Sequence, residues 1–180
     1  MVQFNRCEYP DMGRFFTNRN DNEVNEYTEY FYSEAIKSFE VIINELLHKT
    51  VLPEKAIDAG MTDHRDGLSV GIDMYCTNEA CIKNNIDTSH TDPSMGFYYV
   101  HNKRESKEGN TIICITVLAE TETTFPTFEI DANDPDLFEK LKMHLHTLIE
   151  IATSTQAIED FIAMVADEIG YERKNESLDR

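Results

Sequence analysis

The chain has 180 residues, 41% apolar and 28% charged, which suits one domain with a real core and excludes wholesale disorder. Acids outnumber bases by 34 to 16, for a net charge of −18, so nucleic acid and anionic membrane are excluded as direct partners. The nearest approach to a basic patch, "NKRESKEG" at 102–109, is interrupted by acids.

The first 22 residues form an arm without helical period. "VQFNRC" reads as a short edge strand, and Pro10 and Gly13 mark turns after it. The arm has no apolar run long enough for a signal peptide, and the longest such run in the chain, Ile112 to Ala119, is only strand-length. The expectation is a cytoplasmic protein, in the host cytoplasm if the source is viral. Its four cysteines should then be free thiols or ligands.

A helix is predicted from Asn22 to Lys49, capped by Asp21 or Asn22. Its apolar stripe, with Tyr27, Phe31, Ile36, Phe39, Ile43 and Leu47, is broader than one core face needs. It should touch a sheet on one side and either the C-terminal helices or another subunit on the other. "PEKAIDAG", opened by Pro53 and closed by Gly60, reads as a short helix or turn. The period then changes to two. "GLSVGIDMYC", "GFYYVHNK" and "NTIICITVLAE" read as strands, with Gly109 available for positive φ in the loop between the last two. "TFPTFEIDA" reads as a fourth strand, which Pro126 restricts to an edge. Helical period returns from Asn133, with Asp134 as cap and Pro135 in the first turn. "TST" at 153–155 weakens or breaks that helix, and Gly170 stops it. The expected organisation is an arm at 1–22, one α+β domain at 23–170 and a flexible charged tail at 171–180. In the domain, an antiparallel meander of three to four strands is covered by a long N-terminal helix and a C-terminal helical segment.

Motifs for chemistry are sparse. Cys76 and Cys81 stand at the edge of zinc-knuckle spacing, and His90, Asp92, His64 or His101 could complete a set, but no second close pair follows. The connection that holds them, roughly Thr77 to Met95, is too long for a plain hairpin and is expected to be an ordered functional loop. Asp63, His64 and Asp66 cluster in "TDHRDG", whose His-Arg-Asp tripeptide occurs in kinase catalytic loops, yet the other kinase elements are missing and a polar turn is the expectation. His144 and His146 lie about 200° apart on a helix and cannot share a metal. "NRNDNE" and "DANDPD" lack the central glycine and distal glutamate of calcium loops and read as helix caps. No nucleophile elbow or phosphate loop is present.

The remaining signal is collective. From Glu120 onward, Glu122, Glu129, Asp131, Glu150, Glu159, Asp160, Asp167 and Glu168 face few bases, and a negative surface for docking a partner is expected. The expected function is therefore a non-enzymatic acidic protein-binding module without cofactor: an adaptor, inhibitor or chaperone. Its partner is a basic protein, and in the sharper form it mimics nucleic acid to occupy a nucleic-acid-binding protein. In general shape the chain resembles secretion chaperones and many phage-encoded host-takeover proteins; the resemblance is one of architecture and names no family. The alternatives are a metal-binding module or metal-dependent enzyme using Cys76, Cys81 and His90, and a homo-oligomeric structural protein, a homodimer in its simplest form, built on the first helix.

Overall fold

The computed structural model describes residues 2–6, 15, 16, 18–64, 67–75 and 95–175. The described residues form six strands and three helices. These are β1 (Phe4–Arg6), α1 (Asp21–Lys49), β2 (Ile57–His64), β3 (Gly67–Met74), β4 (Met95–Glu105), β5 (Thr111–Ala119), β6 (Phe128–Asp131), α2 (Leu137–Ala152) and α3 (Thr155–Asp167). The sheet runs β1 to β6 in chain order, antiparallel throughout except that β1 lies parallel to β2. The expected α+β meander, covered by a long N-terminal helix and C-terminal helices, is the observed fold. The strand count is higher than the three or four expected.

The additional internal strand is β2. "PEKAIDAG" turns only over Glu54–Ala56 and becomes extended at Ile57. Ile57 and Ala59 are buried on the core side while Asp58 faces out, and all eight residues pair with β3, from Ile57 with Met74 to His64 with Gly67. Tertiary pairing thus overrides a short segment whose own pattern is weak. The expected edge strand is β1. It is placed by register with β2 and by Phe4 against Phe39, ring centroids 6.2 Å apart.

Helix α1 begins one residue earlier than expected. Asn20, not Asp21 or Asn22, is the cap, and its side chain accepts a hydrogen bond from Asn22 N at 2.8 Å. The breadth of its stripe is explained by two neighbours, the sheet at β3 and the helices α2 and α3. The core seam runs along β4. The Phe39 ring lies 5.4 Å from Phe97 and 5.2 Å from Tyr99, and Phe161 of α3 approaches Phe97 at 4.7 Å. Polar groups in the seam are tied off locally. Tyr99 Oη donates to Ser38 Oγ at 2.9 Å, and Ser38 in turn donates to Ala35 O at 2.7 Å.

The β4–β5 loop closes as expected on Gly109, φ +82°, with Gly109 N donating to Ser106 O at 3.0 Å. Strand β6 is the far edge, just after Pro126. Helix α2 is capped at Asp136 rather than Asp134. Asp134 Oδ1 instead accepts from Asp136 N at 2.8 Å, so it shapes the turn before the helix. Ser154 makes the expected break productive by capping α3, its Oγ accepting from Ala157 N at 3.2 Å. Gly170 is left-handed (φ +84°), as a helix stop requires.

The expected tail needs correction over its first residues. Tyr171 is buried and its hydroxyl donates to Tyr75 O at 2.6 Å. Val51 N donates to Glu172 O, and Lys174 N to Lys49 O, each at 2.9 Å. The apolar body of Tyr171 and these backbone bonds outweigh the solvation of its charged neighbours. The connection at 76–94, expected to be an ordered functional loop, lies outside the described residues.

Two predictions follow the seam. Phe97→Ala is expected to lower stability by about 3–5 kcal/mol, measured by denaturant unfolding, because the cavity opens between α1 and α3 where neither backbone can collapse freely. His101 is buried on the same face, with Tyr27 Oη 2.5 Å from its Nε2 and no hydrogen-bond partner for Nδ1. Burial pushes its pKa down to about 3, and the Leu68 backbone offsets this only in part. The folded pKa lies below the unfolded value of about 6.5, so the unfolded state binds more protons between the two. The His101 contribution is complete above pH 6.5 and is lost as pH falls towards 3. Against His101→Gln, the wild type should show the steeper loss of melting temperature between pH 6.5 and 4.

Candidate docking surface on the open face of the sheet

All three helices pack on the face that carries Leu68, Val70 and Ile72 of β3 and Phe97, Tyr99 and His101 of β4. Strand alternation sends the intervening residues to the opposite face. Register then sorts them into rows across the strands. Asp58 of β2 stands directly opposite Asp73 of β3, and Asp73 opposite Gly96 of β4. Glu120 follows Ala119, the partner of Phe97, and so continues that row beyond Gly96. In the next row Gly60 faces Gly71, Gly71 faces Tyr98, and Tyr98 faces Leu118.

Tyr98 lies along the glycines. A methyl group on Gly71 would come within 2.2 Å of Tyr98 Cδ1 and 2.4 Å of Phe97 O, and one on Gly96 within 2.5 Å of Tyr98 Cε2. The absence of side chains at these two positions is what lets the ring lie down on the strands. Beside it is a solvent-open cavity of about 430 Å³ lined by Asp73, Met95, Gly96, Tyr98, Leu118, Ala119 and Glu120. Leu118 is 54% exposed, one of few large apolar side chains so placed.

The electrostatics of this row are uncompensated. Asp73 Oδ1 is buried without a hydrogen-bond partner. Burial, and secondarily the Asp58 carboxylate, push the Asp73 pKa up to about 6. Like charges directly opposite across two strands oppose folding. Among the described residues lining the cavity there is no Lys, Arg or His.

The nine acids singled out from sequence differ in how far they are already paired. Glu129 is held by Arg104 through two bonds of 2.9 and 2.7 Å, which keep its carboxyl below the usual range. Glu159 lies 3.5 Å from both Lys49 and Arg173, and Glu150 pairs with His146 at 3.1 Å. Asp131 accepts from Asn133 N at 2.8 Å. Asp160 accepts from Thr123 at 2.6 Å and Gln156 at 2.9 Å, which brings the 120–127 connection against α3. Among the described residues Glu120, Glu122, Asp167 and Glu168 keep free carboxylates, the first two before β6 and the last two at the end of α3. Of these four only Glu120 continues a row of the open face; strand register also places the paired Glu129 and Asp131 on that face, opposite Cys114 and Ile112.

Of the metal candidates, Cys76, Cys81, His90 and Asp92 lie outside the described residues, as does the side chain of His64 at the end of β2. His101 faces the core rather than solvent, because its position on β4 alternates with Val100 and Asn102. Among the described residues no group of three or more His, Cys, Asp or Glu is placed to hold a metal ion. His144 stacks on Phe128, centroids 4.1 Å apart, while His146 is exposed. A smaller cleft between α1 and α2 is stapled by Arg19, which donates to Ala132 O at 2.7 Å and to Asp134 O and lies over Phe138.

Sequence reading missed Asp58, Asp73, Gly96, Tyr98 and Leu118. A signal existed in the outward half of "GLSVGIDM", where Gly67, Ser69, Gly71 and Asp73 alternate with the core residues. Comparison with known protein families, curated proteins and solved structures finds no match. No described helix is long and apolar enough to cross a membrane.

Three substitutions check this geometry. The folded pKa of Asp73 lies above its unfolded value, so its contribution is favourable below about pH 4 and is lost as pH rises through 6. Asp73→Asn should therefore raise the melting temperature at pH 8 and leave it nearly unchanged at pH 4. Gly71→Ala should cost about 1–3 kcal/mol, since Phe97 O belongs to the backbone and cannot yield. Gly96→Ala should cost less, because only the far end of the Tyr98 side chain must move.

Proposed function

We propose that this chain is a non-enzymatic docking module for a basic protein, and that the open sheet face is where the partner sits. The observation that carries this reading is the carboxylate row Asp58, Asp73 and Glu120 beside an exposed Leu118 and a flattened Tyr98, with no cation among the described residues that line the cavity. A net charge of −18 adds a long-range field that draws a basic partner in and speeds encounter. Aromatic and apolar side chains then supply the short-range contact that charge alone lacks. The partner therefore carries a basic, extended or convex surface.

The reading predicts salt-sensitive association. Affinity purification from the native cell, at about 50 mM and again at about 500 mM salt, should recover a basic protein at the lower concentration and lose it at the higher, where the Debye length shrinks to a few ångström. A set of co-purifying proteins unchanged between the two conditions counts against it.

A further inference from the structure

We infer that residues 171–174 form a strap that opens and closes as a unit while the rest of the fold stays intact, and that its opening frees the end of β3. The inference is independent of the docking reading. It rests on how the strap is held and on what the strap holds.

Helix α3 ends in a turn at left-handed Gly170, where Tyr171 N donates to Val165 O at 3.1 Å. The chain then crosses to the end of α1. Thr50 and Arg173 form an isolated antiparallel bridge, flanked by the bonds from Val51 N to Glu172 O and from Lys174 N to Lys49 O. Lys174 Nζ donates to Leu47 O at 2.8 Å, so the strap satisfies carbonyls that α1 leaves open at its C-terminus. The grip is narrow. Glu172, Arg173 and Lys174 are exposed, and of the strap residues only Tyr171 is buried. The ion pairs of Glu159 with Arg173 and Lys49 join exposed side chains at 3.5 Å and add little. A few backbone bonds and one ring amount to far less than the aromatic seam, which is the condition for opening below global unfolding.

Tyr171 gives that opening a consequence. Its hydroxyl donates to Tyr75 O at 2.6 Å, and Tyr75 N donates to Ala56 O at 3.0 Å. Tyr75 directly follows β3, so its backbone ties the end of that strand to the strap. Lifting Tyr171 takes a buried partner from the Tyr75 carbonyl, and the end of β3 loosens with the strap.

The test is native-state amide hydrogen exchange of the full chain, followed residue by residue by NMR in urea below the unfolding transition. The expected result is one shared opening for Val51, Tyr75 and Lys174. It should be at least about tenfold more frequent than that of Phe39 and Ile42 in the middle of α1, and nearly independent of urea, because little surface is exposed. Ile115→Val, in the core of β5, should lower the protection of Phe39 and Ile42 about two- to tenfold and leave the other three amides unchanged. Tyr171→Phe keeps the ring but loses its hydrogen bond, and should lower the protection of Val51, Tyr75 and Lys174 about three- to tenfold. If these amides follow Phe39 in urea and in Ile115→Val, the segment opens only with the whole fold and the inference is overturned. Separate openings for Val51 and Lys174 overturn it as well. Exchange of Tyr75 with the core, or unchanged Tyr75 protection in Tyr171→Phe, also overturns it, because the strap then frays without freeing β3.

Discussion

The fold depends on one match of spacing, between the aromatic stripe of α1 and the core side of β4. Four residues of helix rise about 6 Å and two residues of strand about 6.7 Å, so side chains four apart on a helix can meet side chains two apart on a strand. Tyr27 and Phe31 of α1 lie against His101, and Phe39 lies against Tyr99 and Phe97. The helix therefore runs antiparallel to the strand, and each step along one advances a step along the other. Phe161 of α3 packs on the same Phe97, so the C-terminal helix shares this seam. Each such ring is worth roughly 1.5–3 kcal/mol in burial, and together they hold the two layers.

Building the seam from aromatic residues brings polar atoms inside. Tyr99, Ser38, Tyr27 and His101 are all buried, and the first three end in hydroxyls. Each hydroxyl has a partner within the seam, so the cost of burying it is largely met. The exception is His101 Nδ1. The neutral form of the ring is the one the core accepts, and acid works against this contact before it works against the purely apolar ones.

Packing all the helices on one side leaves the other face of the sheet to different rules. There the side chains shrink to glycine at 60, 71 and 96, and Tyr98 lies down on the strands. Two aspartates are paired across strands although like charges in that position oppose folding. Nothing in the core requires this arrangement. A stable sheet would be better served by a threonine or a lysine at either position, and groups that cost stability are commonest where a surface has work to do.

Much of the fold was legible in the residues themselves. Helix α1, the strands around Val70, Tyr99 and Ile115, the edge strand restricted by Pro126 and the stop at Gly170 all follow from local period and local backbone preference. Strand β2 was not, because Ile57, Asp58, Ala59 and Gly60 alternate too briefly to outweigh the helix-opening Pro53. The caps shifted by one or two residues because several adjacent Asp and Asn side chains were equally able to serve. The acidic character of the chain was also visible in the sequence, but its distribution was not. Glu129, Glu159 and Asp160 have local or tertiary partners, whereas Asp58, Asp73 and Glu120, remote from one another in the chain, share one row. Composition and period are properties of neighbouring residues, so the sequence alone determined the sheet, the long helix and the sign of the field. Which carboxylates stand together depends on strand register, a long-range choice made by burying the aromatic seam, and only the tertiary structure decided it.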